Sequence, residues 1–572
     1  MTTLTARFFE QAARYGNKTC FAYRDVSGWH EISWSDAARQ VQSAMAGLHA
    51  AGIQPGDRVI LLAENCPEWA VFDLAVMGVG ALVVPAYVTH TLNDLSHIFN
   101  LVSPKALIAS SEELTTRALN SAEKNSSLAL VWSRDNEDVS ASSIQNRTLK
   151  SWSDLLDNMV TEPVEPHPAE STDTCCLILT SGTSGLSKAA MLSHRSISAN
   201  VDAAVKILNR FNFGENDRFL SFLPLAHAYE HTAGLHMPIL MGSEIWFCES
   251  TDKLQQYLPE VSPTVATAVP RLYDLLYGRI NGQLKNASAF KQWMFNQTLR
   301  LGKKRIAKQP LSLPETLLDS LLDKLVRKKV RARFGGRIRY FISGGAALNP
   351  VVGEFFTALG VGIIQGYGQT EASPLISVNS PDWIKLDSVG RTFEGVDIKL
   401  ADDGELLVRG DLIMNGYWED PKATAGTIID GWLHTGDLAT IDSDQFIRII
   451  GRKKDLIVTS GGENIAPSKI ESMLSSEPEI EQAVVFGDGK PWLGAVLIPA
   501  SETVDASNRN DILNAAVQRI NQELNQSERV RKFIVQETIC STDNGLLTPT
   551  QKVKRHAVLA RNEADIAALY SK

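Results

Sequence analysis

Cysteine is scarce in this 572-residue sequence: six residues, at 20, 66, 175, 176, 248 and 540, with no C-x-x-C pair. Cys175 and Cys176 sit inside an apolar run, so the six read as buried free thiols of a reducing compartment. That reading excludes a disulfide scaffold and a thiolate metal site. Long apolar runs are also missing. No stretch approaches the roughly 20 apolar residues of a spanning helix, and the longest candidate, VMGVGALVVPAYV, is broken by Gly and Pro. The start, MTTLTARFFEQAARYG, has no continuous apolar segment of the kind a secretory signal carries. No repeat of roughly 20–50 residues recurs, which sets solenoids and propellers aside. Excess positive charge is absent as well: 56 Lys and Arg stand against 65 Asp and Glu, a net −9. Such a chain is not built around nucleic acid. The expectation is a cytoplasmic protein, with peripheral attachment to membrane kept open.

What is present is ordinary for a globular enzyme: 44% hydrophobic and 21% charged residues, 39 Gly and 23 Pro. At roughly 150 residues per domain the length allows about four folding units, with core enough to need no staple. The first hundred residues alternate between helical and strand patterns. Ser35–Ala51 reads as helix, Val59–Ala63 as a buried strand, Pro67–Gly80 as helix and Ala81–Pro85 as strand. Strands separated by helices predict a parallel sheet and an α/β fold. Residues 121–172, rich in Ser, Asn, Asp, Glu and Pro, read as a surface excursion before the strand Thr174–Thr180. Residues 311–334 carry Leu317, Leu318, Leu321, Leu322, Leu325, Val326 and Val330 at helical spacing, an amphipathic helix. From about 396 to 450 short strands with tight Gly and Asp turns predict a β-rich subdomain. After the charged junction Gly451–Asp455, roughly 120 residues suffice for an α+β domain of their own, with helices over Pro467–Ser475 and Asp511–Leu524 and strands over Ala483–Phe486 and Ala495–Ile498.

The strongest local signal is Leu179-Thr-Ser-Gly-Thr-Ser-Gly-Leu-Ser-Lys188. An apolar strand runs into small hydroxyl residues and glycines, closed by a lysine. Gly182 and Gly185 let the backbone come close to a ligand; Thr180, Ser181, Thr183 and Ser184 supply hydroxyls; Lys188 supplies a point charge. That set suits a polyphosphate. The spacing is not the Walker pattern, and alone it would equally suit a Ser/Gly surface loop. Further stations follow. Phe222–Glu230 puts His227 and Glu230 after an apolar strand. Ser343–Ala347 is a tight loop of small residues, and Gln365–Glu371 ends another strand with an aromatic, a hydroxyl and a carboxylate. Gly431–Asp437 and Gly451-Arg452 bracket the second half of the β-rich region. In open α/β sheets, ligands bind at the carboxyl ends of strands.

With these motifs in this order, the sequence resembles the adenylate-forming (AMP-binding) superfamily, and within it the long-chain fatty acyl-CoA synthetases, over about residues 8–560. FLPLAHAYEH (222–231), RFGGRIRYFISGGAALNP (333–350) and GLLTPTQKVKR (545–555) carry the finer likeness. The resemblance implies a large N-terminal domain of α/β subdomains over 1–451 and a small mobile α+β domain over 452–572. It implies that Thr180–Lys188 binds the phosphates of ATP. Ser343–Ala347, with Gly345, Ala346 and Ala347, and Gln365, Gly366, Tyr367 and Gly368 would wall the adenine, Tyr367 stacking on it. Thr370 would touch the α-phosphate and Glu371 would hold Mg2+. Asp437 and Arg452 would bind the ribose, and Lys454 would stand at the hinge. Gly461 and Gly462 would help shape the coenzyme A tunnel in the thioester-forming state. His227 would serve the acyl or thiol site. Lys552 is preferred to Lys554 as the catalytic lysine of the Pro-Thr-x-Lys-x-Lys-Arg signature. Ser187 and Ala189 replace the usual Pro and Gly, and neither change removes a donor.

The implied reaction activates a long-chain fatty acid with ATP to acyl-AMP and pyrophosphate, then passes the acyl group to coenzyme A. The alternative keeps adenylation but changes the acid or acceptor, to an aryl acid or an acyl-carrier protein. Small-molecule substrates are the expected partners, and monomer and homodimer both stay open. Lys324–Arg339 holds eight Lys and Arg in sixteen residues. It reads either as a solvated helix face or as a peripheral contact for anionic headgroups or the coenzyme A phosphate.

Overall fold

The structure is a computed structural model that describes residues 2–122, 127–135, 147–157, 163–180, 187–504, 507–541, 544–548 and 552–571. Two sheets organise the first 380 residues. One has seven strands in the order Thr148–Ser151, Leu130–Ser133, Ala106–Ala109, Arg58–Leu62, Leu82–Ala86, Thr174–Thr180, Lys188–Ser193. Its neighbours run parallel up to the last pair, an antiparallel hairpin. The other has eight strands in the order Leu375–Val378, Gly362–Gly368, Tyr340–Ser343, Val265–Ala268, Arg218–Ser221, Glu244–Phe247, Thr19–Asp25, Gly28–Ser33, parallel between its two antiparallel ends. Buried on both faces, the parallel strands are apolar runs such as Arg58-Val-Ile-Leu-Leu62. Helix Pro67–Gly78 starts with Pro at its first turn and is buried on nearly every side, within a core shared by residues of both sheets. A Cβ at Gly78 would stand 2.8 Å from the Met45 sulfur, so this helix packs at close range.

The β-rich region is a five-stranded antiparallel sheet, Val396–Leu400, Glu405–Gly410, Trp432–Ile441, Ile428–Ile429 and Ile447–Arg452. Beyond it, Ile480–Phe486, Leu493–Pro499 and Val530–Val535 form a mixed three-stranded sheet. Helices Pro467–Ser475 and Arg509–Glu523 pack around one core, and the terminal helices Arg555–Arg561 and Glu563–Tyr570 around another. Arg271 pairs with Glu481 at 2.9 Å, and Asn349 Nδ2 donates to Ser476 Oγ at 3.0 Å, joining this part to the rest.

Two expectations change. The stretch 121–172 holds two short strands that extend the first sheet, because Leu130-Val-Trp-Ser133 can bury Val131 and Trp132 although its flanks are polar. The helix expected over 311–334 is divided: Leu313–Leu322, a π-helical turn Asp323–Arg327, then Lys328–Arg333. Of the apolar residues that suggested it, Leu317 and Leu321 face outward at 75% and 52% exposure. The strand Val530–Val535 and the two terminal helices carry no periodic signal strong enough to stand out from the sequence. The six cysteines are free, five of them buried. Among the described residues no helix is long and apolar enough to cross a membrane.

Candidate functional site

The edge hairpin of the first sheet pairs Thr180 with Lys188. Ser181, Gly182, Thr183, Ser184 and Gly185 lie outside the described residues, so only the two ends of the phosphate-loop candidate are described. Lys188 Nζ stands 4.7 Å from the centre of the Tyr417 ring. The Tyr417 hydroxyl donates to Glu371 Oε1 at 2.7 Å. Segment 415–418 reaches this position by lying along the hairpin, Met191 N donating to Gly416 O and Trp418 N to Ala189 O. Sequence reasoning missed Tyr417; its signal, an aromatic in Asn-Gly-Tyr-Trp, is too common to stand out.

Gln365, Gly366, Tyr367 and Gly368 occupy the carboxyl end of strand Gly362–Gly368. A Cβ at Gly368 would collide with the Pro374 carbonyl oxygen, so only glycine permits the returning strand Leu375–Val378 to pair there. Thr370 and Glu371 follow on a 3₁₀ turn. The Glu371 oxygen not taken by Tyr417 makes no hydrogen bond among the described residues. A half-buried carboxylate with one oxygen held and one open suits a hard divalent cation that keeps waters and phosphate oxygens as its other ligands. Gly345, Ala346 and Ala347 are exposed on the loop after Tyr340–Ser343. Tyr229 lies against Gly344 and donates its hydroxyl to Ile342 O at 2.7 Å, one wall of that loop.

Asp437 and Arg452 are cross-strand partners in the β-rich sheet, Arg452 Nε lying 2.9 Å from Asp437 Oδ1. The Tyr367 hydroxyl donates to Asp437 Oδ2 at 2.6 Å. Burial raises the Asp437 pKa, while Arg452, Tyr367 and Lys552 oppose the rise. Lys552 arrives from the C-terminal part. The residue as a whole is exposed, while neighbouring groups partly desolvate its ammonium. Burial lowers its pKa first and the Arg452 charge second, with Asp437 pulling the other way. The same ammonium acts on His227, whose pKa is pushed down to about 4 by burial and then by Lys552. Tyr229 N donates to His227 Nδ1 at 3.2 Å, so the neutral ring carries its proton on Nε2. The Lys554 charge acts instead on Asp94. The second sheet and the β-rich sheet thus put Tyr367, Asp437 and Arg452 in contact, and the charge of Lys552, from the C-terminal segment, acts on Asp437, Arg452 and His227.

Lys454 is exposed on the turn after Arg452. Gly461 and Gly462 form an exposed turn between Ile457–Val458 and Asn464–Ile465, with no hydrogen bond to the Asp437 cluster among the described residues. Glu230 pairs with no cation among the described residues; it is buried and accepts from Ser221 Oγ at 2.7 Å and from Thr267 Oγ1. Burial pushes its pKa up to about 7 against those two hydrogen bonds. A Cβ at Gly234 would run into its carboxyl group. Leu235, Met237, Ala266 and Ala268 are buried core residues, while Val269 borders the Gly345 loop. In the core Asp73 lies between His231, 3.0 Å away, and His236, at 3.4 Å, all three buried.

Comparison with known proteins identifies the family. The AMP-binding enzyme family matches residues 8–418, and the AMP-binding enzyme C-terminal domain matches 454–572. The long-chain-fatty-acid–CoA ligase FadD15 of Mycobacterium bovis is 32% identical over 95% of this chain and 93% of its own. A long-chain-fatty-acid–[acyl-carrier-protein] ligase, AEE15 of Arabidopsis thaliana, is 28% identical over 98% of this chain and 85% of its own. Among solved structures, the adenylation domain of a carboxylate reductase from Mycobacterium chelonae superposes with a TM-score of 0.82 at 22% identity, covering 100% of this chain and 91% of that one. It shares the fold.

Proposed function

The chain belongs to the AMP-binding enzymes, as an AMP-forming acid–thiol ligase near the long-chain fatty acyl-CoA synthetases, and from that premise we propose that it activates a long-chain fatty acid with ATP and transfers it to coenzyme A. The observation that carries this reading is the Asp437–Arg452 pair, with the Lys552 charge acting on both and on His227. A carboxylate attacking the α-phosphate of ATP brings two anions together. The barrier falls only where fixed cations and donors face the developing charge. In our reading Lys552 is that cation, approaching from the C-terminal part, and Lys188 and the loop before it hold the departing pyrophosphate. Thr370 contacts the α-phosphate. Asp437, kept beside Arg452, accepts from the ribose hydroxyls, and Tyr367 lies along the base. Bound at Glu371, Mg2+ would spread the phosphate charge. His227, neutral with its proton on Nε2, is suited to donate a hydrogen bond to the acyl or thiol group rather than to carry charge. The acyl-AMP must be shielded from water until the thiolate of coenzyme A attacks its acyl carbon and AMP leaves. Lys552 serves the first step and the Gly461-Gly462 turn the second, so the segment from 452 onward must rotate about Lys454. It acts as a mobile domain beside residues 1–451.

Pyrophosphate release is measured with ATP, Mg2+ and acetate, octanoate, palmitate, oleate or benzoate, with and without coenzyme A. Release that peaks with the long acids, with acyl-CoA and AMP accumulating only when coenzyme A is present, supports the proposal. Release independent of added acid overturns it. The likeness to AEE15 over nearly the whole chain favours a second reading, in which an acyl-carrier protein is the acceptor. Competition between coenzyme A and a loaded carrier protein for the same acyl-AMP separates the two.

A further inference from the structure

Helix Leu313–Leu322 and the turn after it carry leucines at every fourth position that point away from the protein. Leu313, Leu317, Leu321 and Leu325 are 83%, 75%, 52% and 41% exposed. Phe290 and Trp293, on the neighbouring helix Ala289–Ile306, are exposed too. Isolated exposed leucines need no explanation, but a stripe of four along a helix and the turn after it does. Its charge setting is equally uneven. Residues 285–337 contain fourteen Lys and Arg and three acids, in a chain whose net charge is −9. Each of the three acids is already paired. Glu315 meets Arg300 and Lys304 at 2.8 and 2.6 Å. Asp319 meets Arg305 and Arg327 at 2.5 and 2.8 Å, and Asp323 meets Arg331 at 3.1 Å. Lys308, Lys324, Lys328, Lys329 and Arg333 are exposed and form no ion pair among the described residues. Helical spacing sets Lys324 and Lys328 within two turns of Leu321 and Leu325.

We infer that this helical face docks on the surface of an anionic phospholipid bilayer, the leucines entering the headgroup boundary and the lysines meeting lipid phosphates. An outward apolar stripe flanked by unpaired cations is what such a surface selects. A second copy of the chain fits less well, because an isologous contact would set the two cationic faces against each other. A purely electrostatic partner leaves the leucines unexplained. The contact differs from the one suggested by the basic stretch alone. Arg327 and Arg331 turn inward, Arg339 donates to the carbonyls of Phe211 and Asn212, and the apolar half lies upstream of Lys324. The inference holds whatever acid the enzyme activates.

The test is co-sedimentation of the full chain with phosphatidylcholine vesicles, with and without phosphatidylglycerol, at low and high salt. Partitioning onto the anionic vesicles roughly tenfold or more above neutral ones, falling as salt rises, is expected. Leu317→Glu with Leu321→Glu should remove most of it, and so should Lys324→Ser with Lys328→Ser and Lys329→Ser. All five positions are exposed, so thermal unfolding and ligase activity with a water-soluble acid should stay as in the parent. Equal binding to both vesicle types, no binding, or binding that survives the leucine changes overturns the proposal. So does a concentration-dependent dimer that the leucine changes dissolve in the absence of lipid.

Discussion

Lys552 and Lys554 stand two positions apart in one basic signature, yet their charges act on different groups, Asp437 and Arg452 in one case and Asp94 in the other. Lys552→Ala should therefore lower acid-dependent pyrophosphate release by a factor on the order of 10²–10³, the usual loss when one fixed transition-state donor is removed. Lys554→Ala should change it by no more than about fivefold on the same argument. A stopped assay of pyrophosphate on both variants decides the assignment. Glu230 gives a second prediction at this scale. Its folded pKa of about 7 lies above the ordinary 4.5, so its stabilising contribution is fully present below 4.5 and is lost as pH rises through 7. Glu230→Gln removes that titration while keeping an oxygen to accept from Ser221 or Thr267. The fall in stability between pH 4.5 and 7.5 should flatten by up to about 3 kcal/mol, read from urea unfolding across that range. An unchanged slope would mean that the carboxyl group is not desolvated. Neither environment could be read from the sequence, since Ser221 and Thr267 only meet Glu230 once two parallel strands are side by side.

At the scale of elements, short-range patterns served well wherever one residue's neighbours in sequence were also its neighbours in space. Helix Pro67–Gly78, expected to Gly80, begins at the Pro that sets its first turn. Strand Thr174–Thr180 and helix Pro467–Ser475 have the bounds their apolar runs and flanking residues suggest. The 311–334 helix shows where such patterns stop. Leucine spacing identified a helix but not which face is inward, and the inward anchor is a charge. Arg327 is buried, donates from Nε to Ala358 O at 2.8 Å and pairs with the buried Asp319. Arg327→Ala strands that carboxylate with Arg305 alone. It should destabilise the protein by about 3 kcal/mol, with Arg327→Lys recovering part of the loss because the charge returns without the fork of donors. Equilibrium unfolding of the three proteins tests this; a loss below about 1 kcal/mol would place Arg327 among the ordinary surface pairs. The short strands within 121–172 escaped for the opposite reason: each is four residues long, and its burial comes from neighbours in the sheet rather than from its own pattern.

For the whole molecule, the proposed chemistry requires the C-terminal part to leave the arrangement seen here before coenzyme A can attack. Asn349 and Ser476 join the two parts by one hydrogen bond of 3.0 Å. Cysteines at both positions, oxidised to a disulfide, should preserve a single burst of acyl-AMP and pyrophosphate but abolish acyl-CoA formation, with dithiothreitol restoring it. The native thiols are mostly buried and should not interfere. Chromatographic assay of acyl-AMP and acyl-CoA in one turnover reads both steps. Acyl-CoA formed at the normal rate by the oxidised protein would remove the need for rotation.

The sequence by itself determined the motifs and their order, the α/β alternation and the family, because each motif is a short run whose chemistry is legible without partners. The resemblance those motifs carry implied the roles of Thr370, Glu371, Tyr367, Asp437 and Arg452. Tertiary structure alone decided which lysine's charge acts on Asp437, that Tyr417 holds Glu371, that Glu230 has two hydroxyls and no cation, and which face of the leucine helix is bare. Each of those outcomes depends on desolvation and charge imposed by groups brought together through the folding of the chain, and no local pattern encodes them.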